Sequence, residues 1–243
     1  MRRPLLSALA VLAVAGSAAA APPKPPAIVC VLPPGKTSLP AGARRGLINH
    51  LRQYPEVSLA TPRQRDAARA LLRRIEQSVR RWPTPNAATR AGFGTKTQRR
   101  ERGDRTVHYL HAEHRAWSAD SRFLDPLRPE SLIYANAPGR PLVLVGVMFS
   151  VPRGVAGATP GGPITRWHSH VVCVAGLKRG LKPRTDGSCP PGASLRQGSE
   201  MLHVWFTGDL RSAFAVHAPE PELCKAGLLP VGHCRSGTVG RGM

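Results

Sequence analysis

Several common mechanical parts are missing from this 243-residue chain. It has no Cys-x-x-Cys pair, so zinc ribbons and thioredoxin-type redox centres lack their motif. It has no Gly-x-Ser-x-Gly elbow, no His-Glu-x-x-His helix and no phosphate-cradling glycine loop, which removes the usual serine-hydrolase, zincin and nucleotide-binding mechanisms. Acidic side chains are scarce: 14 Asp and Glu stand against 35 Lys and Arg, for a formal net charge of +21. Aromatic residues are only 5% of the chain, and they do not interleave with basic residues as in proteins that stack single-stranded nucleic acid, so no specific nucleic-acid role is expected.

Long apolar runs are also lacking. The main one, Leu5 to Ala15, follows Arg2 and Arg3 and precedes Gly16-Ser17-Ala18-Ala19-Ala20. It falls short of the ~20 residues of a spanning helix and has the layout of an export signal, with cleavage after Ala20. Residues 1–20 are therefore expected to be a signal peptide, and the mature protein to be secreted or periplasmic, without a transmembrane segment. Loss of Arg2 and Arg3 takes the charge from +21 to +19. Such a surface favours anionic partners, of which an anionic envelope polymer fits an exported protein, although coding bias toward arginine gives the same composition. The five cysteines, Cys30, Cys173, Cys189, Cys224 and Cys234, then enter a compartment where disulfides persist. Proximity favours Cys173 with Cys189 and Cys224 with Cys234, leaving Cys30 spare; a pairing through Cys30 stays open.

Residues 21–40 are rich in proline and read as a linker, with Ile28 to Leu32 as a possible edge strand. Residues 41–105 read as a helical region. Ala43 to Tyr54 suits a short helix. The clearest helix runs from Thr61, a good N-cap followed by Pro62, to Trp82 before Pro83. Ala68, Leu71, Leu72, Ile75, Val79 and Trp82 make one apolar stripe, while Arg65, Arg69, Arg73, Arg74, Arg80 and Arg81 lie mainly elsewhere. Asn86 to Arg90 suggests a brief capped helix, and Lys96 to Arg105 a surface loop. Residues 106–243 read as a β-rich domain, with strands at Thr106 to His111, Ser131 to Ala135, Pro141 to Val151, Thr165 to Val174, Met201 to Phe206 and Ser212 to His217. The expected fold is α+β: an N-terminal helical part packed on an antiparallel β-sandwich or small barrel. The run from Leu142 to Phe149 is apolar on both faces, which suits a central strand, and Gly146 within it suggests a bulge or close backbone approach.

The chemistry concentrates in Trp167-His168-Ser169-His170 and in Leu202-His203-Val204-Trp205. Side chains alternate along a strand, so His168 and His170 share one face, and an adjacent strand could bring His203 to them. Neutral imidazoles suit Zn, Cu, Fe, Ni or Mn, so the expected cofactor is a transition metal ion. His108 is the best fourth candidate. In the same stretch His111 and His114 would align only if the chain turned helical near Leu110. Glu200 falls on the face opposite His203, which favours a three-histidine site over two histidines and a carboxylate. Histidines beside tryptophans on half-buried strands can also be hydrogen-bonded packing residues. Cys173 shares parity with Trp167 and Ser169, away from the histidine face, and a bridge to Cys189 would anchor that strand end.

The stretches Leu124 to Tyr134, Leu144 to Phe149, Leu202-His203-Val204-Trp205 and Ala213-Phe214-Ala215, with His108-Tyr109 upstream and Cys224 downstream, resemble a family of exported bacterial proteins of uncharacterised function. In that family the position of Met148 is usually glutamate, and an Asn-Pro pair sits near Gly208-Asp209. The resemblance therefore implies a ligand that this chain lacks, with His168 or His170 standing in for it. The His-x-His strand and the later strand histidine are also similar to cupin metal sites, without the cupin glutamate after the histidine pair or the glycine spacing of the second cupin motif. Two readings result: a metal site that sequesters an ion or presents an open coordination position for catalysis, and a non-enzymatic basic protein that binds an anionic envelope polymer.

Overall fold

The computed structural model describes residues 28–29, 52–97, 106–120, 122–135, 141–176, 178–181, 189–229 and 234. The expected signal peptide, the helix from Ala43 up to residue 51, Cys30 and most of the proline-rich stretch lie outside these residues.

The described strands form one antiparallel sheet. They are β1 (Ile28–Val29), β2 (Phe93–Thr97), β3 (Thr106–His111), β4 (Ser131–Ala135), β5 (Val143–Ser150), β6 (His168–Ala175), β7 (Lys178–Leu181) and β8 (Ser194–Trp205). Their order across the sheet is β1-β6-β8-β5-β4-β3-β2, with β7 beside β1 on the outer side of β6. The helices are α1 (Pro62–Val79), α2 (Pro85–Arg90), α3 (His114–Ala119), α4 (Leu210–Ala213) and α5 (Glu220–Lys225). The α+β class expected from the sequence is thus present, and Ile28–Val29 is indeed an edge strand.

Helix α1 starts where its sequence directs. The Thr61 hydroxyl accepts from the Gln64 amide at 3.2 Å, the Gln64 side chain accepts from the Thr61 amide at 2.9 Å, and Pro62 fills the position whose missing N–H costs nothing. Its whole apolar stripe, Ala68 through Trp82, is buried. It packs with Leu132, Tyr134, Val147, Phe149, Leu202 and Val204 on one face of the sheet. The Tyr134 hydroxyl lies 2.8 Å from the Trp82 carbonyl, to which it donates, tying the end of the helix to the middle of the sheet. Helix α2 is capped by Thr84, whose hydroxyl accepts from the Ala87 amide at 3.3 Å, and not by Asn86 as the sequence suggested. Both residues are good caps; Pro85 at the first helical position selects the earlier one.

One expected strand is absent. Ser212 to His217 begins in α4, because the Asp209 side chain accepts from the amides of Arg211 and Ser212, both at 3.0 Å, and nucleates a helical turn there. The following residues, 214–217, lie outside any strand. Strand β8 is longer than expected, since its polar first half, residues 194–200, pairs with β6.

Two bulges shape the other face. Between β4 and β5, Ile133 opposes Gly146 and Tyr134 opposes Leu144, leaving Val145 as the extra residue. This shift puts Val145 in a second cluster with Ile133, Ala135, Trp205, Ala215, Leu223 and Leu229, while Val147 stays in the first. Gly146 sits so close to β8 that a Cβ there would lie 2.6 Å from the Val204 carbonyl oxygen, the close approach its position suggested. Between β6 and β8, Gly198 and Ser199 together oppose His170. Disulfides join Cys173 to Cys189 and Cys224 to Cys234, the two bridges that proximity favoured. No helix among the described residues is long and apolar enough to cross a membrane.

Candidate histidine site

Register brings the expected histidines to one face. His168 pairs directly with Met201, and His203 is two residues further along β8, so both side chains leave the sheet on the same side. Their ring centres are 5.0 Å apart. His170, two residues from His168, has its ring 5.6 Å from that of His168, and the His108 ring is 5.6 Å from that of His203. The four imidazoles form a row in the order His170, His168, His203, His108. Glu200 pairs with Ser169 and belongs to the opposite parity, as does the bridged Cys173.

The contact of His108 with His203 carries information about shape. Strands β4 and β5 lie between β3 and β8, and three interstrand spacings in a flat sheet amount to about 14 Å. Rings 5.6 Å apart require the sheet to curl toward this face. Small residues on the intervening strands, Gly146 and Ser131, occupy the inside of the curve; Ser131 Oγ is 3.4 Å from His108 Nδ1.

His203 is the centre of the row. It is 8% exposed, and His168 is 1% exposed. His203 Nδ1 is 2.6 Å from the carbonyl oxygen of Val216. A carbonyl only accepts, so Nδ1 carries the proton and donates, and in the neutral ring the lone pair is on Nε2. That Nε2 is buried and has no hydrogen-bond partner in the protein. Burial holds the His203 pKa well below the usual histidine range, the neighbouring His108 adds to this, and the Val216 carbonyl opposes it; His170 and His217 push in the same direction as burial. The ring is therefore neutral at pH 7, with a lone pair directed into a buried site.

The segment that supplies this carbonyl is itself held in place. The Val216 amide donates to the Gln53 carbonyl at 2.9 Å, and the Gln53 side chain donates to the His217 carbonyl at 3.0 Å and accepts from its amide at 3.2 Å. Two residues along the strand from His203, and so on the same face, the Trp205 indole N–H donates to the Ala215 carbonyl at 2.8 Å. Val216 and His217 act around the site through their backbone and Gln53 through both its carbonyl and its side-chain amide, and no pattern in the sequence marks them.

The remaining histidines of the 106–114 stretch lie elsewhere. His111, at the end of β3, stacks on Trp117 with ring centres 3.8 Å apart and has Nε2 3.1 Å from the Ala91 carbonyl. His114 opens α3, with its Nδ1 2.9 Å from the carbonyl oxygen of His111. Of the two alternatives for this stretch, the strand reading describes His108 and the helical one begins only at His114. Glu130 is a buried acid the sequence did not single out. It is 3% exposed, accepts from the Ser150 amide at 3.2 Å, and its carboxyl pKa is pushed up to about 7, chiefly by burial.

The donor set fits a metal in chemistry. A ligand imidazole commonly donates its second N–H to a backbone carbonyl, as His203 does to Val216. With metal to imidazole bonds of ~2.0–2.1 Å, two rings sharing a tetrahedral ion have centres about 5 Å apart, close to the separations in this row. As the side chains stand, the rings meet in pairs, and among the described residues no three His, Cys, Asp or Glu groups are gathered so as to hold one ion. No family model, curated protein or solved structure matches the chain.

Proposed function

We propose that this chain is an exported metal-binding protein whose curved, histidine-lined sheet face holds one transition metal ion, Zn, Cu, Fe, Ni or Mn, through His168, His170 and His203, with His108 as a further donor. The observation that carries this reading is His203: its Nδ1 proton is committed to Val216 and its buried Nε2 lone pair is unpartnered beside two other imidazole rings. Gathering the donors asks for a change of side-chain rotamers, while the strands already supply the shared face. Held by three protein ligands, such an ion would keep a position for water or substrate and act as a Lewis acid; held by four, it would be stored or passed on. The curl of the sheet supports the small-barrel form of the β-rich part over a flat layer, and the resemblance to cupin sites agrees with it. The two disulfides support an oxidising compartment. The test is metal content. Purified full-length mature protein, exposed to each first-row ion and then dialysed, should retain one equivalent, and His203→Ala should retain none; a wild-type protein that keeps no ion at stoichiometric level overturns the proposal.

A second reading, docking on an anionic envelope polymer, is favoured by one feature. A groove of about 540 Å³ beside α1 is lined by Arg69, Arg73 and Arg211 together with Glu76 and Asp209. Binding to an anionic matrix should weaken with salt and with replacement of Arg69, Arg73 and Arg80 by Gln. His168→Ala separates the readings, since it should remove metal retention and leave matrix binding unchanged.

A further inference from the structure

The same face carries a second kind of donor. The chain has four methionines; two are its first and last residues, and the other two, Met148 and Met201, both stand in the histidine row. Met148 is the direct cross-strand partner of His203, and Met201 is the direct partner of His168. Direct partners on neighbouring antiparallel strands have Cβ atoms about 4.5–5.5 Å apart, within reach of a methionine side chain. Thioethers and imidazoles therefore alternate around the centre of the site.

Methionine also serves as a flexible filler of irregular gaps, but here its distribution opposes that explanation. The large core on the other face of the same sheet, where filling is most demanding, contains no methionine among its buried or packed residues and is built from Leu, Val, Ile, Phe, Ala and aromatic side chains. The two internal methionines are both on the opposite face, where Met148 also packs against the smaller apolar cluster around Ile133 and Trp205, and both are only half-buried.

Charge points the same way. Glu200, the nearest acid in sequence to His203, has the opposite parity, and the strand positions on this face running from His108 across to His168 include no Asp or Glu. The available donors are imidazole nitrogen and thioether sulfur, in a strongly basic protein. Placing a charge in such a site is costly when no anion compensates it, and the cost rises steeply with ionic charge, so a monovalent ion is favoured over a divalent one. Thioether sulfur selects soft ions, cuprous copper above all among the first-row metals.

We infer that the site is selective for Cu(I), held by His203 and His168 together with the sulfur atoms of Met148 and Met201. This rests on the proposed metal-binding role and adds the identity of the ion and two ligands. Full-length mature protein should take up one Cu(I) under anaerobic conditions in competition with a chromophoric Cu(I) chelator. Met148→Leu/Met201→Leu, which nearly conserves side-chain volume, should lower Cu(I) affinity at least tenfold while changing Zn(II) affinity by less than twofold. X-ray absorption of the wild-type Cu(I) complex should show sulfur in the coordination shell, an observation that needs no variant to fold. A wild-type complex with nitrogen alone around copper, or methionine variants that bind Cu(I) as tightly as wild type, overturns the Cu(I) assignment and leaves the imidazole site standing. Failure to retain any ion overturns both.

Discussion

The two faces of this sheet are built from the same strands and differ in what they bury. Strand β8 contributes Leu202 and Val204 to one and His203 and Trp205 to the other, and all four are buried. On the first face α1 covers a continuous apolar layer. On the second, each polar ring must find a partner, and the indole of Trp205 and Nδ1 of His203 find theirs in the carbonyls of Ala215 and Val216. His203 Nε2 finds none in the protein. An unsatisfied buried group costs about 1–3 kcal/mol, a cost that leucine at the same place would not carry. The difference is that one face is apolar throughout, while the other buries a polar atom that the protein itself leaves unsatisfied.

The comparison is broken most directly by substituting one residue on each face. Phe149→Ala, at a fully buried position under α1, should cost about 3–5 kcal/mol. His203→Leu should change stability by only about 1 kcal/mol in either direction, because loss of the bond to Val216 is offset by removal of the orphaned Nε2. Denaturant unfolding of metal-free protein at pH 7.5 measures both. If His203→Leu proved as damaging as Phe149→Ala, the second face would be a structural core like the first.

The bridge between Cys173 and Cys189 fastens the strand that carries His168 and His170 to the loop after β7, closing a separation of 16 residues. Cys173→Ser/Cys189→Ser should lower stability by about 3 kcal/mol on the loop-entropy model. Thermal unfolding of this variant should match that of the reduced wild type once the second disulfide is also reduced in both. A variant as stable as the oxidised parent would mean that the native loop is already ordered without the cross-link.

Acid and alkali should distinguish the buried groups. Glu130, with a carboxyl pKa of about 7 in the fold, keeps its proton in a window where the unfolded chain, with a carboxyl near 4.5, has lost it. Its folded pKa is raised, so the stability it supports is complete below the unfolded value and is lost as pH rises to about 7. Glu130→Gln should therefore stabilise the protein by roughly 3 kcal/mol at pH 8 and by little at pH 4.5. His203 has the opposite sign. Its folded pKa is depressed, so its contribution is present above the unfolded value and is lost as pH falls below it. Stability curves of the two single variants against pH should diverge from wild type at opposite ends, Glu130→Gln on the alkaline side and His203→Leu on the acid side. A Glu130→Gln curve parallel to wild type would show that the carboxyl ionises freely in the fold.

Much of this arrangement was legible locally. The stripe from Ala68 to Trp82, the Thr61 cap, the parity of His168 and His170, the position of Gly146 and both disulfides follow from spacing and residue type. What was not legible depends on residues far apart in sequence. His108 reaches His203 only because the sheet curls across two intervening strands. The first half of β8 has no apolar alternation, since Gln197, Gly198 and Ser199 run past a bulge opposite His170. Ser212 to His217 has a strand-like pattern, but the Asp209 cap decides for a helical turn first. The burial of Glu130 and the Val216 carbonyl that orients His203 are products of tertiary packing, for which no local pattern stands.

The smallest expected effect tests whether the faces are independent. Thr61→Ala removes one half of a reciprocal cap at the start of α1, leaving the Gln64 amide without its acceptor. N-cap losses of this kind cost about 1 kcal/mol. The helix lies against Leu202 and Val204, on the reverse side of the strand that carries His203. If the helix serves only to complete the apolar layer, the variant should unfold about 1 kcal/mol earlier and bind metal with unchanged affinity. Residues on opposite faces of one strand share a backbone, so the competing outcome is a loss of metal affinity in step with the loss of stability. A double variant, Thr61→Ala with Met148→Leu, decides between them: additive changes in stability, with metal affinity equal to that of Met148→Leu alone, mean that α1 and the histidine row are energetically separate. An interaction energy above about 0.5 kcal/mol would mean that the cap helps to set the spacing of β8 against β5, and with it the geometry of the site.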